Sequence, residues 1–273
     1  MMNYRLIALD MDGTLLNGKL EIHPDIIESM HRAKELGKEI VVATGRSLSE
    51  IAQYKEELKY ARYMILESGA VVYDCKEEKI LFSKTLEEAT IRTLMNVYHQ
   101  KDVMIHIFSN AYSYIEKCKL EHLDHYQMEL FRDTFENHCR TFDDVDAFIE
   151  EHLHEIEKIN FYHGTTRDQL DSKELLKDVD ITKVLLSGVS IEMNEKGVHK
   201  ALGITKLCEH LNMSVEEVIA VGDSDNDLEI LEVVGLAVAM GNANERVKAI
   251  ADVIVSDNEH CGVKEAIDTY LLK

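Results

Sequence analysis

Asp10-Met11-Asp12-Gly13-Thr14 closes an almost unbroken apolar run from Tyr4 to Leu9. So short and apolar a run reads as a strand buried on both faces of a parallel sheet. Carboxylates two residues apart at its carboxyl end project into the crevice where open α/β sheets bind ligands. Burying two negative charges is costly without compensation, so the pair asks for a metal ion. Three more stations follow in chain order: Thr44, Lys200, and Asp223 with Asn226 and Asp227. Together these residue types suit phosphoryl transfer. A carboxylate can attack phosphorus and split one displacement into two. Mg2+, a hard cation with oxygen ligands, screens the two anions from each other. A hydroxyl, backbone amides and a lysine hold the charge that spreads over the phosphoryl oxygens.

Strand-like and helix-like patterns alternate along the chain, the order that gives a parallel sheet covered by helices. Asn17-Gly18 between apolar residues predicts a small hairpin. Pro24 fits the first turn of a helix ending near Gly37, residues 39–43 read as a second buried strand, and Ser47 with Glu50 forms a capping box. Residues 62–66 give a third strand, and 70–73 with 79–82 a hairpin. From about residue 84 to 193 the apolar runs shorten and alternate. Thr85 with Glu88 is expected to cap a helix, 103–108 and 111–116 to pair antiparallel, and 156–162 and 181–193 to add strands. This predicts an inserted α+β domain. The first rhythm then returns with a helix carrying Lys200 and strands at 218–221, 236–239 and 253–255. The expected division is a core of residues 1–83 and 194–273 and an insertion of residues 84–193.

The chain has 273 residues, 45% of them hydrophobic, and a net charge of −21. That charge opposes nucleic acid and anionic membranes as partners. No apolar stretch approaches the ~20 residues that span a bilayer, and the first residues lack the apolar core of a signal peptide, so a cytoplasmic protein is expected. Cys75, Cys118, Cys139, Cys208 and Cys261 are scattered and odd in number, which predicts free thiols.

The four stations resemble the motifs of the haloacid dehalogenase superfamily, and within it the Cof-type phosphatases of subfamily IIB. Asp10-Met11-Asp12-Gly13-Thr14 matches the first motif, Thr44-Gly45-Arg46 the second, Lys200 the third, and Gly222-Asp223-Ser224-Asp225-Asn226-Asp227 the fourth. Ala239-Met240-Gly241-Asn242-Ala243 is also family-like. The resemblance implies a Rossmann-like core with a parallel sheet and an inserted C2-type cap. It implies Asp10 as nucleophile and Mg2+ ligand, and Asp12 as general acid/base with its backbone carbonyl on the metal. Thr44, the Gly45 amide, Lys200 and Asn226 would bind the phosphoryl group, and Arg46 would reach the substrate or the cap. Asp223 would ligate Mg2+, and Asp227 would ligate it through water or orient the other ligands. Glu67-Ser68-Gly69-Ala70 departs from the family's Asn-Gly-Ala, so Ser68 stands at the usual asparagine.

The reaction expected is Mg2+-dependent hydrolysis of a small phosphorylated metabolite, with sugar phosphates the leading class and flavin mononucleotide or pyridoxal phosphate as alternatives. A phosphomutase and a non-catalytic phosphometabolite-binding regulator are the rivals. An intact nucleophile argues against the regulator. Residues 13–20 nearly match a P-loop, but Leu20 supplies no hydroxyl for Mg2+. His122 and His125 are expected one turn apart on a helix. With His138 or Cys139 they would make an irregularly spaced zinc set, and surface histidines are the preferred reading.

Overall fold

The computed structural model describes residues 4–186 and 188–273. In chain order the strands are β1 (Leu6–Leu9), β2 (Glu39–Ala43), β3 (Tyr63–Leu66), β4 (Val71–Asp74), β5 (Lys79–Ser83), β6 (Val103–Ser109), β7 (Tyr112–Glu116), β8 (Arg140–Phe142), β9 (Ile156–His163), β10 (Ile181–Leu186), β11 (Ser190–Glu195), β12 (Val218–Gly222), β13 (Leu236–Ala239) and β14 (Val253–Ile254). The helices used below are α1 (Pro24–Glu35), α2 (Leu48–Ile51), α3 (Glu88–Tyr98), α4 (Arg132–His138), α5 (Val145–His152), α6 (Thr166–Leu175) and α7 (Lys200–Leu211). Two compact units result. One comprises residues 4–45, Tyr54–Ser83 and His199–Lys273, and the other Arg46–Gln53 and Lys84–Val198.

The first unit is built on an eight-stranded sheet, ordered β14-β13-β12-β1-β2-β3-β4-β5. Its first six strands are parallel, and β4 and β5 add antiparallel at one edge. β1 lies in the middle, with Leu9 level with Val42 of β2 and Val221 of β12. Its four residues are fully buried, as a strand covered on both faces requires. α1 starts with Pro24 in its first turn, Asp25 near the positive end of the helix dipole, and Arg32 and Lys34 near the negative end.

The second unit holds a six-stranded sheet ordered β10-β11-β9-β6-β7-β8. All its pairs are antiparallel except β7 with β8. On one face Ile105, Ile107, Ile159, Phe161, Ile191 and Met193 pack with Ile91 and Leu94 of α3 and Phe148 and Ile149 of α5. Removing one such aliphatic or aromatic side chain from water contributes about 1.5–3 kcal/mol. The alternate positions mix polar and apolar groups: Met104 lies opposite Tyr162, His106 opposite Asn160 and Phe108 opposite Lys158, with Glu192 and Asn194 on β11, and Met104 and Tyr162 pack into a second apolar cluster. The short α2 belongs to this unit, with the Leu48 amide donating to Ala111 O at 2.9 Å.

Three local expectations need correction. Asn17-Gly18 makes no paired hairpin, because Asn17 Oδ1 accepts from the Lys19 and Glu21 amides at 2.9 and 3.0 Å and closes a turn on its own side chain. Thr85 does not cap α3. Glu87 holds that position without a side-chain cap and gives its own amide to Glu195 Oε2 at 3.0 Å. His122 ends a short 3-10 stretch, Lys117–His122, so His125 lies beyond it and pairs instead with Asp102 at 2.8 Å.

Candidate active site

The parallel register sets the site. Asp10 follows β1, Thr44 follows β2 and Asp223 follows β12, so three neighbouring strands release their chains along one edge. The Asp10 amide still donates to Val221 O at 3.0 Å, and the Thr44 amide to Ile65 O at 2.8 Å, which carries the ladder one residue past the strands. Asp10, Thr44, Lys200 and Asp227 are buried. Asp12 is exposed, which corrects the expectation of two buried carboxylates: the chain turns at Met11, and only Asp10 stays within the sheet.

Lys200 Nζ joins the cluster, donating to Asp10 Oδ1 at 2.5 Å and to Asp227 Oδ1 at 2.7 Å. A lysine in the first turn of a helix faces the positive end of the dipole, so local helix energetics do not explain its place. Close packing does. A Cβ on Gly69 would lie 2.2 Å from His199 O, and one on Gly203 2.4 Å from Ile65 Cγ2, so both glycines let α7 begin tight against the loop after β3. That loop is tied to the second station through the Ser68 amide, which donates to Thr44 O at 3.0 Å. Ser68 has φ 61°, a conformation that asparagine tolerates better than serine.

The fourth motif is held by its own carboxylates. Asp227 Oδ2 accepts from the Asp223 and Ser224 amides at 3.0 and 3.2 Å. Asn226 Oδ1 accepts from Ser224 Oγ at 2.7 Å. Thr14, given no role by the sequence reading, donates from Oγ1 to Asp223 Oδ1 at 3.0 Å, and Asn242 Nδ2 donates to Gly13 O at 2.8 Å. Their signal was present in the Gly-Thr of the first motif and in the family-like Gly241-Asn242. Arg46 falls in the second unit, its guanidinium 6.0 Å from the Phe131 ring centre.

Carboxylate oxygens of Asp10, Asp223 and Asp227 lie within 4.8 Å of one another. Burial raises the Asp10 carboxyl well above its ordinary value against the pull of Lys200, with Asp227 and Asp223 adding to the rise. Burial also pushes Asp223 up to about 6, helped by the charge of Asp227. Burial works against the Lys200 ammonium, but Asp10 and Asp227 outweigh it and keep the group charged. If all three carboxylates were ionised, one ammonium would leave two negative charges uncompensated, a deficit that a bound cation would remove. An all-oxygen donor set with that deficit fits a hard divalent cation.

Residues 7–267 match the family model of haloacid dehalogenase-like hydrolases. Among curated proteins, the chain is 30% identical to the Bacillus subtilis 5-amino-6-(5-phospho-D-ribitylamino)uracil phosphatase YcsE, over 98% of this chain and 96% of that one. It is 28% identical to the Escherichia coli pyridoxal phosphate phosphatase YbhA, over 99% and 100%. Among solved structures, the subclass IIB sugar phosphatase BT4131 superposes with a TM-score of 0.83 at 22% identity, over 97% and 98% of the two chains.

Proposed function

Because the chain belongs to the haloacid dehalogenase-like hydrolases and is a phosphatase of small phosphorylated molecules, we propose that it works through an aspartyl-phosphate on Asp10 with Mg2+ as cofactor. The observation that carries this reading is the three-carboxylate cluster around a buried Asp10 held by Lys200. Asp10, Asp223 and Asp227, with the Asp12 backbone carbonyl, would hold the ion, which when bound screens the anionic substrate from the anionic nucleophile.

In the first step an Asp10 oxygen bonds to phosphorus as the bond to the leaving oxygen breaks, and Asp12 gives that oxygen its proton. In the second, Asp12 takes a proton from water, whose oxygen displaces Asp10 from phosphorus. Thr44, the Gly45 amide, Lys200 and Asn226 hold the phosphoryl oxygens. The second unit acts as the cap that selects the leaving group, with Arg46 reaching the substrate.

Sugar phosphates are the leading substrate class. The ribityl phosphate named for the Bacillus subtilis relative supports this, and the pyridoxal phosphate named for the Escherichia coli relative supports the cofactor phosphates instead. A phosphate-release screen over both classes, with and without Mg2+, tests the proposal. Release that needs Mg2+ and is fastest on sugar phosphates is expected. Release indifferent to a chelator, or isomer formation without release, overturns it.

A further inference from the structure

Glu50 of α2, His106 of β6 and Cys139 between α4 and β8 are far apart in the chain, yet their donor atoms meet inside the second unit, all within 4.8 Å of one another. His106 Nε2 is 3.8 Å from Cys139 Sγ and 4.0 Å from Glu50 Oε1. Glu50 and His106 are buried, and phosphoryl transfer at Asp10 uses none of the three.

Each donor is oriented by a neighbour. His106 Nδ1 lies 3.2 Å from the Tyr162 hydroxyl. Donation from Nδ1 leaves the Nε2 lone pair facing the cluster. Burial, with the charge of Lys158 adding, pushes the His106 pKa down to about 3, so the imidazole is neutral at any working pH. Glu50 Oε2 accepts from the Ser47 amide at 2.7 Å, which fixes the carboxylate and leaves Oε1 toward the imidazole. Ser113 Oγ donates to Cys139 Sγ at 3.1 Å.

We propose that Glu50, His106 and Cys139 form a zinc site in the second unit. Sulfur, nitrogen and oxygen donors together suit a borderline-soft ion, and all-oxygen preferring Mg2+ poorly. Zinc bonds of about 2.0–2.3 Å in a tetrahedron hold donors about 3.4–3.6 Å apart, so assembling the site draws the His106 nitrogen, now 3.8 Å from Cys139 Sγ and 4.0 Å from Glu50 Oε1, closer to both, and brings Glu50 and Cys139 together from within 4.8 Å. On binding, the Cys139 thiol releases its proton to solvent and Sγ bonds the metal, while His106 binds through Nε2 with no proton loss. A thiolate and a carboxylate then balance the ion's two charges. Of the cations near Glu50, Lys158 is paired with Glu192 at 2.8 Å, and Arg46 also faces the carboxylate. Water takes the fourth position. The ion would fasten α2, β6 and the turn before β8 to one another.

The test uses the full-length protein, stripped with a chelator and titrated separately with zinc and cobalt in excess Mg2+. One zinc per chain is expected, with a raised Tm, and cobalt should give a near-ultraviolet thiolate charge-transfer band. Cys139→Ser should remove the band, and His106→Gln should weaken binding by at least about 10-fold. Asp10→Asn should keep both band and affinity, which separates this site from the carboxylate cluster. Wild-type protein that takes up cobalt without the band, or not at all, overturns the proposal whatever the variants do. So does zinc binding lost in Asp10→Asn but kept in Cys139→Ser.

Discussion

In the eight-stranded sheet β1 and β12 are buried along their whole length, and the reactive groups stand just past the strand ends, at Asp10, Thr44 and Asp223. In the six-stranded sheet the polar groups stand within the strands, at His106, Lys158, Asn160 and Asn194, alternating with the apolar side chains that pack on α3 and α5. The difference follows from how each sheet is covered. Parallel strands with both faces hidden have no room for polar side chains along their length, so chemistry collects where the chain leaves the sheet. An antiparallel sheet needs only one fully apolar face, and on the opposite face of this one buried polar side chains share the strands with a second apolar cluster around Met104, Ile115 and Phe135.

The sharpest way to break this contrast is Asp10→Asn. The variant should fold, as circular dichroism would show, and lose turnover by more than about 10^4-fold, as removal of a nucleophile does. Retained activity in a clean preparation would take the nucleophile away from the strand end. Asp12→Ala comes next, because proton transfer contributes roughly 10^2–10^4-fold. With an alkyl phosphate both steps should slow. With p-nitrophenyl phosphate, whose leaving group needs no proton, a burst of nitrophenol should precede a slow steady state. Equal loss of the burst with both substrates would make Asp12 structural.

Smaller effects are expected from the other sheet. If the second unit selects the substrate as proposed, Asn160→Ala, which removes a buried polar group of its sheet, should change the ratio of kcat/KM between two sugar phosphates by about 10-fold, with p-nitrophenyl phosphate turned over as before. Equal losses on every substrate would place selection outside the polar face.

Acid should also separate the units. In the second, burial lowers the His163 pKa, with Nδ1 bonded to Val189 O at 2.7 Å and Nε2 to Ser172 Oγ at 2.8 Å. The unfolded chain takes a proton on this histidine at about pH 6.5, the folded chain only lower, so its stabilising effect is complete above that pH and fades as pH falls toward the folded value. In the first unit, the forked hydrogen bond from Arg62 lowers the Asp74 pKa. Its contribution persists down to about pH 3.9, the unfolded value, and is lost below that. Once the slower intrinsic exchange at low pH is divided out, protection between pH 7 and 5 should therefore fall in β9 and β11 before β1 and β12, and His163→Gln should shrink the gap. Uniform loss of protection would mean that one cooperative unit sets the acid response.

The same contrast explains what could be read in advance. Residues 39–43 and 236–239 were legible to the residue because short apolar runs between turn residues admit one reading. Asp10, Thr44 and Asp223 were legible because each directly follows a short apolar strand, whereas Lys200, in the first turn of α7, was legible only as one motif of the family pattern. The pairing of Asn17 with amides ahead of it was not, since Asn-Gly serves a hairpin and a side-chain turn alike. In the sequence Glu50 reads as half of a capping box and Cys139 enters a candidate zinc set only with His122 and His125, so the grouping of Glu50, His106 and Cys139 was not legible. Sheet pairing and the packing of α2 bring them together, and neither has a spacing signature.

The strand order also has a consequence for the newborn chain. Every residue of the second unit precedes His199, whereas β1 waits for β12 to cover its open edge. At a synthesis rate of about 5–20 residues per second, the stretch from His199 to the end of β12 takes on the order of 1–5 s. Through that interval the nascent chain can carry a finished antiparallel unit beside an apolar strand with an unmet hydrogen-bonding edge, a template for wrong pairing. The hazard of aggregation therefore belongs to those seconds on the ribosome, and it ends when β12 docks and brings Asp223 level with Asp10.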